Sequence, residues 1–202
     1  MEPGSLDSAE LFTAFSQAKS AGKSALFLAG PIGSGKTKNA SLLAKILSEK
    51  GFSVAGIASP RILKDGTTLG YVVRDICTGR TLPLCAISPR ELLGIAEFSS
   101  LFEPSLLDGE VFQFRRFFFS QRALEFGNSV LTKAAGKAEV IVVDEVGPLE
   151  LSGHGFAPGL RACRESKAFL ILTVRPHLLS AVKRWLGLEN AEVLCLQGEG
   201  QG

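Results

Sequence analysis

The chain has 202 residues, 46% hydrophobic and 21% charged, which suits one domain with a sizeable core and excludes wholesale disorder. Lysines and arginines number 22 and acidic residues 20, a formal charge of +2, which removes the main electrostatic argument for a protein that coats nucleic acid and leaves only a local basic patch open. No apolar run approaches the roughly 18 residues needed to span a bilayer.

In chain order, the polar start Met1–Asp7 lacks the basic-then-apolar order of a secretory signal. A short amphipathic helix is expected over Ala9–Lys19, inside a helical extension covering residues 1–22. Ala25–Ala29 is a continuous apolar run bounded by Ser24 and Gly30, as a central buried strand requires. Ala40, Leu43, Ala44 and Leu47 repeat at helical spacing, predicting a helix from Gly35 to near Gly51. Ser53–Ala58 follows as a strand. Residues 61–87 then read as an antiparallel meander. Asp65-Gly66 marks a hairpin, Thr78-Gly79 a second turn, and Pro83 confines the third run to an edge or strand end. Residues 88–112 read as a helix-and-loop connection. Helical spacing returns at Ala123, Phe126, Gly127, Val130 and Ala134. Val140–Val143 is a β-branched run ending at Asp144-Glu145. A helix over Ala157–Glu165, a strand over Ala168–Val174, a helix over Leu178–Leu186 and a strand over Val193–Leu196 complete the order, with a frayed tail at 198–202. Strands alternating with helices predict a three-layer α/β fold around a mostly parallel sheet, with the meander inserted.

Gly30-Pro31-Ile32-Gly33-Ser34-Gly35-Lys36-Thr37 matches the phosphate-loop pattern Gly-x-x-x-x-Gly-Lys-[Ser/Thr]. It follows a buried strand and opens a helix, where curled backbone amides and the helix terminus can hold a polyphosphate. Lys36 can reach the β- and γ-phosphates, Lys38 continues the loop into the helix, and the Thr37 hydroxyl can ligate Mg²⁺. The competing reading is a glycine-rich turn carrying a surface lysine. Asp144, at the end of an apolar strand, fits a Walker-B role on Mg²⁺. Glu145 directly after it could polarise a water for in-line attack. Gly147 and Pro148 would turn the chain over the site, with Leu149 and Leu151 anchoring its return.

The phosphate loop, the Asp144–Leu151 segment and the meander with Arg61, Gly66, Gly70 and Gly79-Arg80 together resemble the small P-loop nucleoside-triphosphatases. These include the cancer-related nucleoside-triphosphatase and its thermophile relatives. The resemblance spans about residues 24–186. It implies a RecA-like or related P-loop core hydrolysing ATP, GTP or other nucleoside triphosphates to diphosphate and phosphate with Mg²⁺. It implies phosphate binding by Gly30–Thr37 and acidic machinery from the Asp144 segment.

Arg175, just past a strand end, and Arg61, Arg115 and Arg116 are candidates for a charge on the γ-phosphate. For each, a solvated or helix-capping arginine is the competing and preferred reading. Phe112, Phe114 and Phe117–Phe119, interleaved with Arg115 and Arg116, could stack bases, though a core strand running into a helix is preferred. His154 reads as a surface histidine. Cys77, Cys85, Cys163 and Cys195 show no metal-ligand spacing and are expected to be four buried thiols in a reducing cytoplasm. Two other functions compete with hydrolysis. A P-loop kinase would use Arg90, Arg115 and Arg116 as a lid over an acceptor pocket. A nucleotide-gated binding module in cofactor assembly would present the meander to a protein partner. Glu145, placed to activate water, favours the hydrolase.

Overall fold

Apolar runs too short for helices and rich in branched residues have only one way to satisfy their backbone groups while buried on both sides, and that is pairing side by side. The computed structural model describes residues 6–92 and 111–198. The first elements are α1 (Ser8–Ser20), β1 (Ala25–Ala29), α2 (Lys36–Glu49) and β2 (Val54–Ala58). Five strands follow: β3 (Arg61–Lys64), β4 (Thr67–Asp75), β5 (Thr81–Ala86), β6 (Val111–Phe114) and β7 (Phe117–Ser120). The remainder is α3 (Gln121–Ala135), β8 (Val140–Val146), α4 (Pro148–Leu151), α5 (Ala157–Glu165), β9 (Phe169–Val174), α6 (Leu179–Leu186) and β10 (Glu192–Cys195). The strands form one sheet in the order β10-β1-β9-β8-β2-β4-β5-β7-β6, with β3 against β4. From β10 to β2 every pairing is parallel, and from β2 outward every pairing is antiparallel.

Alternation along the parallel strands divides the core into two layers. Phe27, Ile141, Val143, Leu170 and Leu172 face α3, α5 and α6 through Leu131, Leu160 and Val182. Leu26, Leu28, Val140, Val142 and Ile171 face α1 and α2 through Leu11, Phe15, Leu43 and Leu47. Helix α1 therefore packs into one core layer through Leu11, Phe15 and Ala18. Its Phe15 packs edge-on against Phe52 and Phe169 at 5.5 and 5.0 Å. Asp7 caps its first turn, and the Glu10 side chain returns the bond to the Asp7 amide.

The meander forms as expected, with its hairpin at Asp65-Gly66 and its next turn at Thr78-Gly79. Pro83 departs from expectation, because β5 lies between β4 and β7 and Pro83 is inside it. The strand accommodates the missing N–H at a register shift against Tyr71/Val72, and β7 pairs only with Cys85 and Ala86. The phenylalanine-arginine segment also differs. It is not one strand entering a helix but a hairpin, β6–β7, whose tip is Arg115-Arg116, and only then α3. Two of the four cysteines are exposed, contrary to expectation. Cys77 lies on the β4–β5 turn and Cys195 ends the outermost parallel strand, where no layer covers them. Cys85 and Cys163 are buried, which pushes both thiols up to about 12. Of the 88–112 connection, a helical turn at 89–92 and the first residues of β6 are seen, and the expectation for 93–110 lies outside the described residues, as does the tail from 199. Among the described residues no helix is long and apolar enough to cross a membrane.

Candidate active site

The chain leaves β1 at Ala29 and must double back into α2 within six residues. Gly30 donates its amide to Val174 O at 3.2 Å, and a Cβ there would run into Ser34 Oγ and Leu196. Gly35 starts α2 at φ +76° with no side-chain cap, a left-handed conformation that glycine adopts without strain. Glycine at the cap position offers no side chain to the first-turn amides of α2, and the positive end of the helix opens on the cleft. Ile32, Gly33, Gly35, Lys36, Thr37 and Lys38 line that cleft. Gly30, Pro31 and Ser34 do not line it, and the buried Ser34 Oγ has no hydrogen-bond partner among the described residues.

Lys36 is buried, and its Nζ donates to Gly30 O at 2.9 Å and Pro31 O at 2.8 Å. Burial lowers its pKa, the nearby Glu145 and Asp144 charges oppose that, and Arg175 and Arg61 add to it. Asp144 is buried too. Its Oδ1 accepts from the Thr173 hydroxyl at 2.6 Å and its Oδ2 from the Ser59 amide at 3.0 Å, and the Thr37 side chain lies near it. Burial raises its pKa and these hydrogen bonds resist the rise. Thr173 Oγ1 in turn accepts the Glu145 amide at 2.7 Å.

Consecutive strand residues point to opposite faces, so Asp144 and Glu145 could not both reach one cleft from a regular strand. The strand is not regular there. Glu145 has φ +64°, and the β8–β9 register shifts between Val143 and Val146. This bulge keeps Asp144 beside Thr37 while Glu145 lines the same cleft. The two carboxylates and the loop therefore lie on one side of the sheet, at the C-terminal ends of parallel strands.

Arg175 departs from the preferred reading of a solvated or capping arginine. Its Nε and Nη2 donate to Glu145 Oε1 at 3.3 and 3.0 Å, because β9 lies next to β8 and Arg175 immediately follows it. Arg61 is exposed on the cleft wall. Arg115 and Arg116 lie at the β6–β7 tip, outside the phosphate cleft, and His154 is exposed and away from it. Beyond the acidic pair the chain turns at Gly147, which precedes the short helix α4, an element the sequence reading did not include. Glu150 accepts the Gly147 amide at 2.9 Å and the Phe156 amide at 3.1 Å, which pins the turn. Burial pushes Glu150 up to about 7 against those bonds.

Thr173, Ser59 and Tyr71 escaped the sequence reading. Thr173 alone carried a signal, as the one polar residue in the otherwise apolar run Phe169–Val174.

A family model described as NTPase matches residues 25–197. The chain belongs to the NTPase family. Nucleoside-triphosphate hydrolysis is the activity that goes with it, and a nucleoside triphosphate the substrate. Among curated members, nucleoside-triphosphatase THEP1 of Thermofilum pendens is 26% identical over 167 residues, 82% of this chain and 81% of that protein. THEP1 of Methanothermobacter thermautotrophicus is 27% identical, over 79% and 80%. The mouse cancer-related nucleoside-triphosphatase homolog is 24% identical, over 75% and 74%. The solution structure of a human cancer-related nucleoside triphosphatase superposes with a TM-score of 0.56 at 19% identity, covering 87% of this chain and 89% of that one. The NTPase match begins at Ala25, so α1 precedes it.

Proposed function

We propose that the cleft between the Gly30–Thr37 loop and the β8 bulge hydrolyses the β,γ bond of a magnesium nucleoside triphosphate. The single observation that carries this is the bulge at Glu145, which brings both carboxylates to the loop side of the sheet. Residues 30–38 form the phosphate cradle: Gly30 and Pro31 set the bend, the Gly30 amide being taken by Val174 O and Pro31 having none, while main-chain amides from Ile32 onward face phosphate, with the Lys36 ammonium at the β- and γ-positions and Lys38 further along the chain. The family's nucleoside-triphosphate substrate and a loop that addresses phosphates, common to every nucleotide, support ATP, GTP and other nucleoside triphosphates alike as substrates.

The donor set fits magnesium. Thr37 and Asp144 offer hard oxygens close enough for the Thr37 hydroxyl to help hold the Asp144 pKa down, and the buried Ser59 Oγ beside Asp144 lacks a partner among the described residues. Among the described residues no cluster of three His, Cys, Asp or Glu could hold a metal unaided, which suits an ion that takes much of its coordination from phosphate oxygens and water. When bound, Mg²⁺ neutralises phosphate charge. Thr37 and Asp144 would hold it, and Thr173 and the Ser59 amide keep the Asp144 carboxylate oriented.

Glu145 orients and deprotonates the attacking water through its carboxylate, one oxygen of which Arg175 holds. Arg175 is the cation paired with Glu145 among the described residues. A triphosphate charge in the cleft competes with Glu145 for it, so binding loosens the pair and turns Glu145 toward the water. Free phosphate measured over a panel of nucleoside triphosphates with Mg²⁺ tests the reading. Glu145→Gln should keep nucleotide affinity while phosphate release falls by about 100-fold or more. Unchanged release would remove Glu145 from the reaction.

A further inference from the structure

Behind the Glu145–Arg175 pair lies a second cavity of about 390 Å³. It shares Ser59, Tyr71, Glu145 and Arg175 with the phosphate cleft and extends from them toward the β6–β7 hairpin. Its walls are mostly apolar, and aromatic rings gather at the hairpin side, with Tyr71 edge-on to Phe117 at 5.7 Å, 79° between the rings, and Phe114 and Phe119 alongside. At its mouth the Arg116 guanidinium lies over the Phe117 ring at 4.9 Å and Arg115 over Phe114 at 5.7 Å. Both arginines are exposed, and neither forms an ion pair among the described residues. Arg175 lies at the inner end, its charge met by Glu145. The carboxylates at hand are already engaged. Glu150 takes two backbone amides and Glu145 takes Arg175.

An apolar concavity of this size with a few convergent cations is built for a small ligand. Aromatic faces select a flat ring system, and the arginines select a negative group on it. The nucleotide's own base is a poor candidate. If Glu145 faces the γ-phosphate, as proposed above, the nucleoside leaves the loop in the other direction, past Lys38. We infer that this cavity binds a second small molecule, a planar aromatic compound carrying one anionic group, while the phosphate cleft is filled by nucleotide. Its place against Glu145 and Arg175 makes it an effector site, since an occupant covers the face of Glu145 turned away from the loop.

The test titrates 1-anilinonaphthalene-8-sulfonate, a flat aromatic anion, into the full chain with Mg²⁺ and saturating ADP. The expected result is one saturable fluorescent site whose affinity changes less than about twofold when ADP is omitted, and falls about tenfold or more in Arg116→Ala and in Phe117→Ala. Both variants should release phosphate from nucleoside triphosphate within about twofold of the parent when dye is absent, because neither side chain touches the loop cleft. In the parent, dye should lower phosphate release without raising the KM for nucleotide, and Arg116→Ala should relieve that inhibition. Non-saturable binding, one-for-one displacement of dye by ADP, or parental affinity in Arg116→Ala would each overturn the inference. Displacement would mean that the cavity houses the base. Circular dichroism checks folding. Should Phe117→Ala not fold, the exposed Arg116 decides alone. Lys36→Ala separates the two proposals. Dye binding should survive in it, whereas full hydrolysis in that variant would defeat the phosphate-loop assignment and leave this site standing.

Discussion

The two halves of the sheet are built on different terms. In the parallel half every residue of β1 and β9 is buried, and two helical layers close on both faces. In the antiparallel half, β3 and β6 show exposed residues, and bulges interrupt β3–β4 and β4–β5. Lys36, Thr37, Asp144 and Glu145 hang from the ends of the first kind, while Tyr71, Arg115 and Phe117 belong to the second. A group that must meet a phosphorus atom within a fraction of an ångström needs the stiff support of a close-packed core. A wall that shapes itself to a ligand can rest on strands covered on one face. Irregularity is not confined to one half. The β8 bulge places Glu145, and there it is fixed by Thr173 and Arg175.

The comparison breaks most visibly at the loop. Lys36→Ala should weaken triphosphate binding by about 100-fold or more, read by nucleotide titration, whereas Arg61→Ala on the opposite wall should cost less than about tenfold. Next comes the parallel core. Phe15→Ala empties a site bounded by Phe52 and Phe169 and should cost about 3–5 kcal/mol in denaturant unfolding. Thr173→Val removes the hydroxyl that joins Asp144 to the Glu145 amide. It should cost about 1–3 kcal/mol for the groups left unpaired, and slow phosphate release far more than it weakens nucleotide binding.

A pH series sharpens the contrast further. Glu150 is held up to about 7 in the fold, above the roughly 4.3 of a free glutamate. A raised carboxyl stabilises the fold fully below its unfolded value and loses that contribution as pH rises through the folded one. The parent should therefore lose stability relative to Glu150→Gln between about pH 4.5 and 7, seen as converging or crossing unfolding midpoints. A parallel pair of curves would refute the shift. The smallest effect belongs to the meander tip. Asp65 holds φ +49° in the open, so Asp65→Gly trades relief of strain against chain entropy and should move stability by less than about 0.5 kcal/mol.

What the sequence disclosed was local. The buried strand at Ala25, the loop after it, the helix spacing of α2 and the run ending at Asp144 all write their pattern within about fifteen residues, and the hairpin at Asp65-Gly66 carries its own turn chemistry. What stayed hidden depended on neighbours in space. The Arg175–Glu145 pair requires β9 beside β8 and a bulge that shows in no local pattern, since glutamate is not a turn residue. The β6–β7 hairpin turns on Arg115 at φ +54°, with no Gly or Asn to announce it. Cys77 and Cys195 carry the composition of core residues and lie at places only topology reveals.

Asn39, in the first turn of α2, accepts the Leu6 amide at 3.0 Å and donates to Gly35 O at 3.0 Å. The segment leading into α1 is thereby wired to the residue on which the phosphate loop pivots, although it precedes the stretch shared with the family. Peeling α1 away would not merely expose Phe15 and its neighbours. It would slacken the pivot, so that a change some thirty positions upstream is registered as looser grip on a nucleotide.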